Sequence, residues 1–185
     1  MVEDKIILGI DPGTTVLGYG FIHIQGKKIK MINFGVIHLN KLPTQNDKLK
    51  RIFERLDGLI AEFKPDEMAL EAPFFGKNVQ SMLKLGRAQG VAIATAIKYN
   101  LPYEEYSPRR IKQAITGNGA SSKERVAAML QNILKLEEIP KYLDATDGLA
   151  AALCHHYSKG IGENNKTKGN NWSSFIKNNP DRKIR

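Results

Sequence analysis

An almost wholly apolar run near the start of the chain ends on a single carboxylate. The run extends from Ile6 to Ile10, Asp11 follows it, and Pro12 and Gly13 then turn the chain. A short, β-branched run that ends at a turn signal predicts a strand buried on both faces. A carboxylate at the end of such a strand is costly to bury unless it is paired or binds a metal. Because Asp also favours turns, Asp11 is at this point either a turn residue or an active-site carboxylate.

The length and composition predict one cytoplasmic domain. The chain has 185 residues, 42% of them hydrophobic, which is enough for one well-buried core. It contains no run of 18 apolar residues, so we expect no membrane span. The first five residues carry two acids, unlike a secretory signal. The single cysteine, Cys154, cannot form an intramolecular disulfide, which favours a reducing, cytoplasmic setting without membrane contact.

The hydrophobic periodicity predicts an α/β domain with a mixed sheet, since three strands are followed by alternating helices and strands. Strands are predicted at 6–10, 16–24, 29–39, 68–70 and 101–106, the first three as an antiparallel meander. Helices are predicted at 49–63, 79–97, 108–117, 122–134 and 143–157. From residue 158 the chain is rich in Asn, Gly and Lys and cannot form a core, so 158–185 is predicted to be a mobile basic tail.

Positive charge is unevenly distributed along the chain. The formal net charge is +9, and the excess lies in 73–135 and in the tail 158–185, whereas 136–157 is acidic. Such asymmetry is typical of a protein that holds a polyanion on its basic regions. A solvated basic face kept for solubility is the commoner explanation of any one charge-rich segment.

Another predicted strand and a helix also present carboxylates. Residues 68–70 form a short apolar run that closes on Glu71, as in the opening stretch. Asp144 and Asp147 open the last predicted helix and share a face, because residues three apart are neighbours on a helix. Both could serve only to cap the helix and favour its dipole. A purely structural role, however, does not require two like charges on one face.

If the two strands are neighbours and the helix crosses their ends, four carboxylates meet. Like charges held so close need a cation, and oxygen ligands favour Mg²⁺ or Mn²⁺ over zinc. Two ions about 4 Å apart would clamp the attacking and the leaving oxygen of a phosphodiester. The chain has no Cys/His set with zinc spacing, and His155 and His156 are expected on the helix surface or in the core.

Several motifs occur in an order and spacing that are specific together. They are Gly9-Ile10-Asp11-Pro12-Gly13, Gly18-Tyr19-Gly20, Leu70-Glu71 with Phe74 and Lys77-Asn78, Leu83-Lys84-Leu85-Gly86 with Gly90-Val91-Ala92, Ile111-Lys112-Gln113, Lys123, and Asp144-Ala145-Thr146-Asp147-Gly148-Leu149-Ala150. With these motifs the sequence resembles the RuvC family of Holliday-junction resolvases over nearly the whole body of the chain.

The resemblance implies a fold, an activity and partners. The fold is a ribonuclease-H-like three-layer nuclease domain over 1–157, with a mixed five-stranded sheet flanked by helices; the tail 158–185 has no clear family counterpart. The activity is Mg²⁺-dependent resolution of four-way DNA junctions in recombination and repair, by paired symmetric nicks that leave 5′-phosphates, with Mn²⁺ as a substitute. The partners are the junction and a second copy of the chain, with the helix at 79–97 as the candidate dimer surface. A branch-migration motor as a further partner stays open.

Residues at matching positions take the family's roles. Asp11, Glu71, Asp144 and Asp147 match its four metal-binding carboxylates, and Lys112 and Lys123 match lysines that contact DNA or the scissile phosphate. Phe74 matches an aromatic that stacks on an unpaired base, a contact worth about 1–3 kcal/mol, although packing within its loop is the alternative. Other basic residues are expected to contribute only backbone electrostatics: Lys77, Lys84, Arg87, Arg109 and Arg110.

Two other functions are open on sequence grounds. The segment from Asp11 to Thr15 also resembles the first phosphate loop of actin-like ATPases and sugar kinases. Those proteins need a second lobe, for which 185 residues leave no room, and we expect no ATP turnover. A junction-binding module without catalysis is the other alternative, and the presence of all four carboxylates argues against it.

Overall fold

A computed structural model describes residues 4–73, 78–136 and 144–166, with side chains described up to Lys159. Five strands and five helices lie within these ranges. The strands are β1 (Asp4–Asp11), β2 (Val16–Gln25), β3 (Lys28–His38), β4 (Glu67–Glu71) and β5 (Tyr103–Tyr106). The helices are α1 (Gln45–Phe63), α2 (Val79–Lys98), α3 (Pro108–Thr116), α4 (Lys123–Leu134) and α5 (Asp144–Lys166).

The five strands form one mixed sheet in the order β3-β2-β1-β4-β5. β1 and β2, and β2 and β3, pair antiparallel, which confirms the predicted meander. β4 pairs with β1 in parallel, and β5 with β4 in parallel. Because Ile10 is the register partner of Leu70, the residues that follow them, Asp11 and Glu71, end neighbouring strands at the same edge of the sheet.

Both faces of the sheet are covered, which explains why β1 is apolar on both sides. Leu8 and Ile10 pack with α1 and α2 on one face, whereas Ile7 packs with α3, α4 and α5 on the other. Successive strand residues point to opposite faces, so a central strand between two helix layers needs apolar residues throughout. The three-layer fold with a mixed five-stranded sheet is therefore confirmed.

The helix ends lie within one residue of the predicted ones, except that α1 begins at Gln45 rather than at 49 and that α5 ends later than predicted. Ser107 and Ser122 accept hydrogen bonds from the backbone of the first turns of α3 and α4, and Gly117 ends α3 with a positive φ of 76°. The prediction that the last helix ends at 157 was too short, because α5 continues to Lys166. The polar composition suggested an end there, but Lys159 Nζ donates to Glu67 Oε1 at 2.6 Å and ties this part of the helix to β4.

The division between a domain at 1–157 and a mobile tail stays a prediction, since residues 167–185 lie outside the described ranges. In the part of the chain that the structure describes, no helix is both long enough and apolar enough to cross a membrane.

α5 lies unusually close to the first two strands, because glycines stand on both sides of the contact. A Cβ atom on Gly148 would lie 2.6 Å from the Tyr19 backbone and 2.8 Å from the Gly20 nitrogen. A Cβ on Gly9 would overlap the Gly148 carbonyl oxygen and lie 2.6 Å from the Ala152 nitrogen. These obstacles are backbone atoms, which cannot rotate away. The first turn of α5 is therefore placed by direct backbone contact with the sheet.

Gly148→Ala should destabilise the protein although alanine is the better helix former. The added methyl group must push α5 away from β2, and such overpacking costs about 1–3 kcal/mol. Gly58→Ala is the matched control, because Gly58 lies in α1 with nothing within 4 Å of its Cβ position. The control should stabilise the fold by about 0.5–1 kcal/mol. Thermal denaturation of both variants checks this, and equal shifts for the two would contradict the close contact.

Candidate active site

Three structural elements bring the predicted carboxylates to one edge of the sheet. Asp11 is the last residue of β1 and Glu71 the last residue of β4. Asp144 and Asp147 lie in the first turn of α5. Gly18, the register partner of Asp11 on β2, lies directly against the Asp144 carbonyl. The close approach of α5 to the sheet thus brings its first turn beside the end of β1.

Two lysines face this group of acids from the helical layer. Lys123, the first residue of α4, donates from Nζ to Asp147 Oδ2 at 2.7 Å and lies 3.7 Å from Asp144 Oδ1. Lys112 on α3 lines the same cleft of about 150 Å³ as Glu71, Lys123 and Asp147. The structure therefore brings together all six residues that the sequence assigned to catalysis.

Burial and mutual repulsion disfavour the charged forms of the acids. Burial, followed by the nearby charges of Glu71 and Asp147, raises the pKa of Asp11 from 3.8 to about 8, although Lys123 opposes the shift. Burial, followed by the charge of Asp147, raises the pKa of Glu71 from 4.5 to about 7. Ionisation of one of these acids therefore opposes ionisation of the others, and the two lysines do not offset this effect.

The ion pair between Lys123 and Asp147 partly offsets the repulsion among the acids. Burial raises the pKa of Asp147 even though Lys123 lowers it. Burial lowers the pKa of Lys123, but its hydrogen bond to Asp147 raises it above the ordinary value on balance. Both groups therefore strengthen each other's charged form, while no lysine or arginine within the described ranges donates a hydrogen bond to Asp11 or Glu71.

The donor chemistry of the cluster fits a hard divalent cation. All four acids offer oxygen, which Mg²⁺ and Mn²⁺ prefer, and a bound cation would relieve the repulsion that raises the pKa values of Asp11 and Glu71. In the described ranges, no three Asp, Glu, His or Cys side chains are grouped closely enough, as they stand, to hold one ion. The Lys123 ammonium lies between Asp144 and Asp147, so these two side chains are held by an ion pair.

A lysine that the sequence did not single out holds the turn after Asp11. Lys48 on α1 donates from Nζ to the Thr14 carbonyl oxygen at 3.2 Å. The Leu39 nitrogen donates to the Thr15 carbonyl oxygen at 2.8 Å. These two contacts fix the turn between β1 and β2 from outside the sheet. Lys48 occurs on the polar side of an amphipathic helix, where no sequence signal distinguishes it from its solvated neighbours.

The predicted DNA-binding residues are placed differently from one another. Lys84 and Arg87 are exposed on α2, and Leu85, next to Lys84 in the sequence, lines a cleft of about 140 Å³ with Asp11 and Glu71. Arg109 lies against Gly119 in the loop between α3 and α4. Arg110 instead donates to Ser158 Oγ at 3.2 Å, about 20 Å along α5 from Asp144. Phe74 and Lys77 lie outside the described residues.

The hydrogen-bond partners of one buried polar residue were also not predicted. His155, predicted to have a surface or core role, is buried on α5 and contacts Tyr106 and Glu67. Glu67 and Tyr106 gave no motif in the sequence. The only available signal was a His among the apolar residues of a buried helix.

A mixed sheet with helices on both faces and acids at the ends of its first and fourth strands defines a ribonuclease-H-like nuclease. Comparison with known proteins gives the particular family. The model for the family described as crossover junction endodeoxyribonuclease RuvC matches residues 7–155. The chain is 60% identical over 97% of its length to the RuvC of Cytophaga hutchinsonii, of which it covers 88%. It is 54% identical to the RuvC of Porphyromonas gingivalis over 97% of both chains.

Solved structures agree with these relatives. The structure of Thermus thermophilus RuvC superposes with a TM-score of 0.77 at 32% identity, over 85% of this chain and 96% of that one. T. thermophilus RuvC in complex with a Holliday junction substrate gives the same TM-score at 30% identity and the same coverage. This chain therefore belongs to the RuvC family of crossover junction endodeoxyribonucleases, whose members depend on divalent metal ions.

Asp11→Asn should stabilise the metal-free protein at alkaline pH. Because the folded-state pKa of Asp11 is raised from 3.8 to about 8, the unfolded state loses its proton first as the pH rises. The resulting destabilisation is absent below about pH 4, grows with pH, and is complete above about pH 8. In EDTA at pH 8.5, the variant should melt at least about 2–4 °C above the wild type. The two melting temperatures should converge as the pH falls toward 4.

Addition of Mg²⁺ at pH 8.5 should stabilise the wild type more than Asp11→Asn, because an ion that binds only the folded state raises its stability. Asp57→Asn is the matched control, since Asp57 pairs with Lys98 on the surface of α1 and α2, and its response to Mg²⁺ should equal that of the wild type. A constant difference between Asp11→Asn and the wild type at every pH would contradict the charge cluster.

Proposed function

We propose that this chain resolves four-way DNA junctions by paired, symmetric nicks, using a divalent-metal site made of Asp11, Glu71, Asp144 and Asp147. The observation that carries the proposal is the closeness of Asp11 to Glu71 and Asp147, the last two of which line a cleft with two lysines, in a chain of the crossover junction endodeoxyribonuclease family. The complex of T. thermophilus RuvC with a Holliday junction substrate, at 30% identity, supports the same class of substrate here.

Mg²⁺ is the proposed ion, with Mn²⁺ as a substitute and two ions in each site. Hard oxygen donors and no sulfur or imidazole among the four assigned ligands favour these ions over zinc. When bound, the ions would activate the attacking water and stabilise the charge that develops on the phosphodiester. The four carboxylates would hold them, with Asp11 and Glu71 coming from the rigid strand ends and the two aspartates from α5.

Lys112 and Lys123 are proposed to act on the scissile phosphate. Both ammonium groups line the α3–α4 side of the cleft, opposite the strand ends. A fixed cation beside the phosphate stabilises the negative charge that grows on its non-bridging oxygens. Water attacks phosphorus, the bond from phosphorus to the 3′ oxygen breaks, and a proton passes to that oxygen. The products are a 5′-phosphate and a 3′-hydroxyl.

Basic residues on both sides of the cleft are proposed to hold the DNA backbone. Lys84 and Arg87 are exposed on α2, and Arg109 is exposed at the start of α3, so phosphates could be bound on each flank of the carboxylates. Arg110, whose guanidinium contacts Ser158, would contribute mainly through its charge. Phe74 and Lys77 belong to the connection that follows Glu71, and we retain base stacking and phosphate contact as their proposed roles.

A homodimer is proposed because symmetric nicks require two active sites related by a twofold axis. α2 offers a surface for it. Val79, Leu83 and Ile97 are 66%, 51% and 61% exposed, and the Cβ positions of Gly86 and Gly90 have nothing within 4 Å. An exposed apolar stripe with small residues is typical of a helix that packs against a partner.

Asp11→Asn and Glu71→Gln should each slow junction cleavage by about 10³-fold or more, because each removes a proposed ligand charge from the metal site. Binding of the junction in Ca²⁺ or EDTA should change by less than about threefold. The measurement is cleavage of synthetic four-way, three-way and linear duplex DNA, with and without Mg²⁺, beside a gel-shift assay. Only the four-way junction in Mg²⁺ should be cut efficiently.

Asp57→Asn and Glu54→Gln control for loss of a carboxylate, since both acids lie on α1 in surface ion pairs. Both should cut at the wild-type rate. Unchanged cleavage by Asp11→Asn would overturn the proposed site, and equal cleavage of linear duplex would overturn the proposed substrate.

Leu83→Glu should weaken the dimer by at least about tenfold, since a buried charge without a partner is strongly unfavourable at an apolar interface. Light scattering after size-exclusion chromatography measures this. Ile32→Glu is the matched control, because Ile32 is an exposed apolar residue on β3. A Leu83→Glu protein that stays dimeric would remove α2 from the interface.

A further inference from the structure

A polar cluster centred on Glu67, at the start of β4 and away from the carboxylates, joins β4, β5 and α5. The His155 ring, 1% exposed, lies 2.8 Å from Glu67 Oε2 through Nε2 and 2.8 Å from the Tyr106 hydroxyl through Nδ1. The Glu67 carboxylate also accepts a hydrogen bond from Lys159 Nζ at 2.6 Å and lies 3.5 Å from Lys5 Nζ. These contacts lie outside the active-site cleft, and nothing in the proposed chemistry uses them.

The cluster connects β4 with α5, and each of these elements carries a predicted active-site acid toward its other end. Glu67 and Glu71 are the first and last residues of β4, about 13 Å apart along the strand and on the same face. Asp147 and His155 are eight residues apart on α5, about 12 Å along the helix axis. The two spacings match. A contact between Glu67 and His155 therefore places Asp147 at the level of Glu71.

Tyr106 closes the connection on the sheet side. It is the register partner of Glu71 in the pairing of β4 with β5, and its carbonyl accepts a hydrogen bond from the Ala72 nitrogen at 2.8 Å. Its hydroxyl then reaches His155. One path of contacts thus runs from the backbone at Glu71 through Tyr106 and His155 to Glu67, and back along β4.

The protonation states of His155, Tyr106 and Glu67 determine which group donates each hydrogen bond. Burial lowers the pKa of His155, although Glu67 opposes the shift, so the ring is neutral at neutral pH. Burial raises the pKa of Tyr106 to about 12, so its hydroxyl keeps its proton and can donate to Nδ1. His155 Nε2–H then donates to Glu67. Burial raises the pKa of Glu67, but hydrogen bonds from Lys159 and His155 lower it on balance, so Glu67 accepts as a carboxylate.

We propose that Glu67, Tyr106 and His155 are positioning residues that hold α5 in register with β4 and thereby set the affinity of the active-site carboxylates for divalent metal. The inference rests on the proposed assignment of those carboxylates as metal ligands. Loss of one contact lets α5 slide or tilt against the strand, which moves Asp144 and Asp147 relative to Asp11 and Glu71. The ligands then meet the ion less well, while the DNA-binding surface on α2 and α3 is unchanged.

Tyr106→Phe and Glu67→Gln test the proposal with minimal change of shape. The full-length proteins are titrated with Mn²⁺ in the absence of DNA, and free Mn²⁺ is followed by electron paramagnetic resonance. We expect each variant to bind Mn²⁺ about three- to tenfold more weakly than the wild type, as for residues that orient ligands indirectly. The metal concentration for half-maximal junction cleavage should rise by the same factor, and the rate at saturating metal should recover to within about twofold.

Glu105→Gln is the matched control. Glu105 on β5 accepts a hydrogen bond from buried Gln89 on α2 at 2.7 Å. The neutral amide of the variant accepts this hydrogen bond more weakly than a carboxylate, so the substitution weakens a similar sheet-to-helix contact on the other face. Its melting temperature should fall without any change in Mn²⁺ affinity. Circular dichroism and thermal melts show whether each variant is folded.

Asp11→Asn in the same titration distinguishes failure of the positioning role from failure of the proposed metal site. If Asp11→Asn loses Mn²⁺ binding while Tyr106→Phe and Glu67→Gln keep wild-type affinity, the positioning role is wrong and the metal site stands. If Asp11→Asn also binds Mn²⁺ like the wild type, the proposed metal site itself is wrong.

Discussion

The backbone contact between α5 and the first two strands determines where the active site can form. Gly9 and Gly20 on the strands and Gly148 on the helix leave no room for a Cβ atom between the two layers. Because backbone atoms cannot rotate away, this contact fixes the height of the first helical turn above the sheet. Asp144 and Asp147 lie in that turn. The height of the helix acids above the strand ends is therefore set by the packing of main chain on main chain.

A second constraint comes from the electrostatics of the acids that this contact brings together. Asp11 and Glu71 are mostly buried and close to other acids, so both have raised pKa values. Such a cluster weakens the metal-free fold at high pH and is stabilised by a cation, whether Lys123 or a divalent ion. The protein keeps this unfavourable arrangement because it carries two sets of compensating groups. One is the lysine pair on α3 and α4, and the other is the proposed capacity of the four carboxylates to hold a metal ion.

The sequence predicted the parts of the fold that depend on local patterns. The run 6–10 and the run 68–70 have apolar residues on both faces, and the structure has them as adjacent central strands. The predicted helix bounds at 108–117 and 122–134 agree with α3 and α4, because Ser107, Gly117 and Ser122 satisfy local backbone groups at these helix ends. The end of α5 was predicted wrongly, because its extension to Lys166 is accompanied by the tertiary contact between Lys159 and Glu67. Local propensity contains no information about such a contact.

The candidate site likewise combines residues that local motifs identify with contacts that depend on the tertiary fold. Four acids and two lysines could be named from motifs, but the sequence could not show that Lys123 pairs with Asp147 or that Lys48 holds the Thr14 carbonyl. Contacts between residues 24 to 88 positions apart depend on the assembled layers, as for Glu67 and His155.

β4 and α5 each carry an active-site acid near one end and a structural polar group toward the other. This arrangement separates two demands that conflict at a metal site. Carboxylates proposed as metal ligands must be able to exchange a partner such as Lys123 for an ion, whereas residues that fix a helix must be fully hydrogen-bonded. Glu67 meets the second demand with contacts to His155, Lys159 and Lys5, and Glu71 meets the first. A strand and a helix are both stiff over about 13 Å. The contact between Glu67 and His155 therefore also fixes the position of Asp147 relative to Glu71, and no further polar group has to enter the cleft.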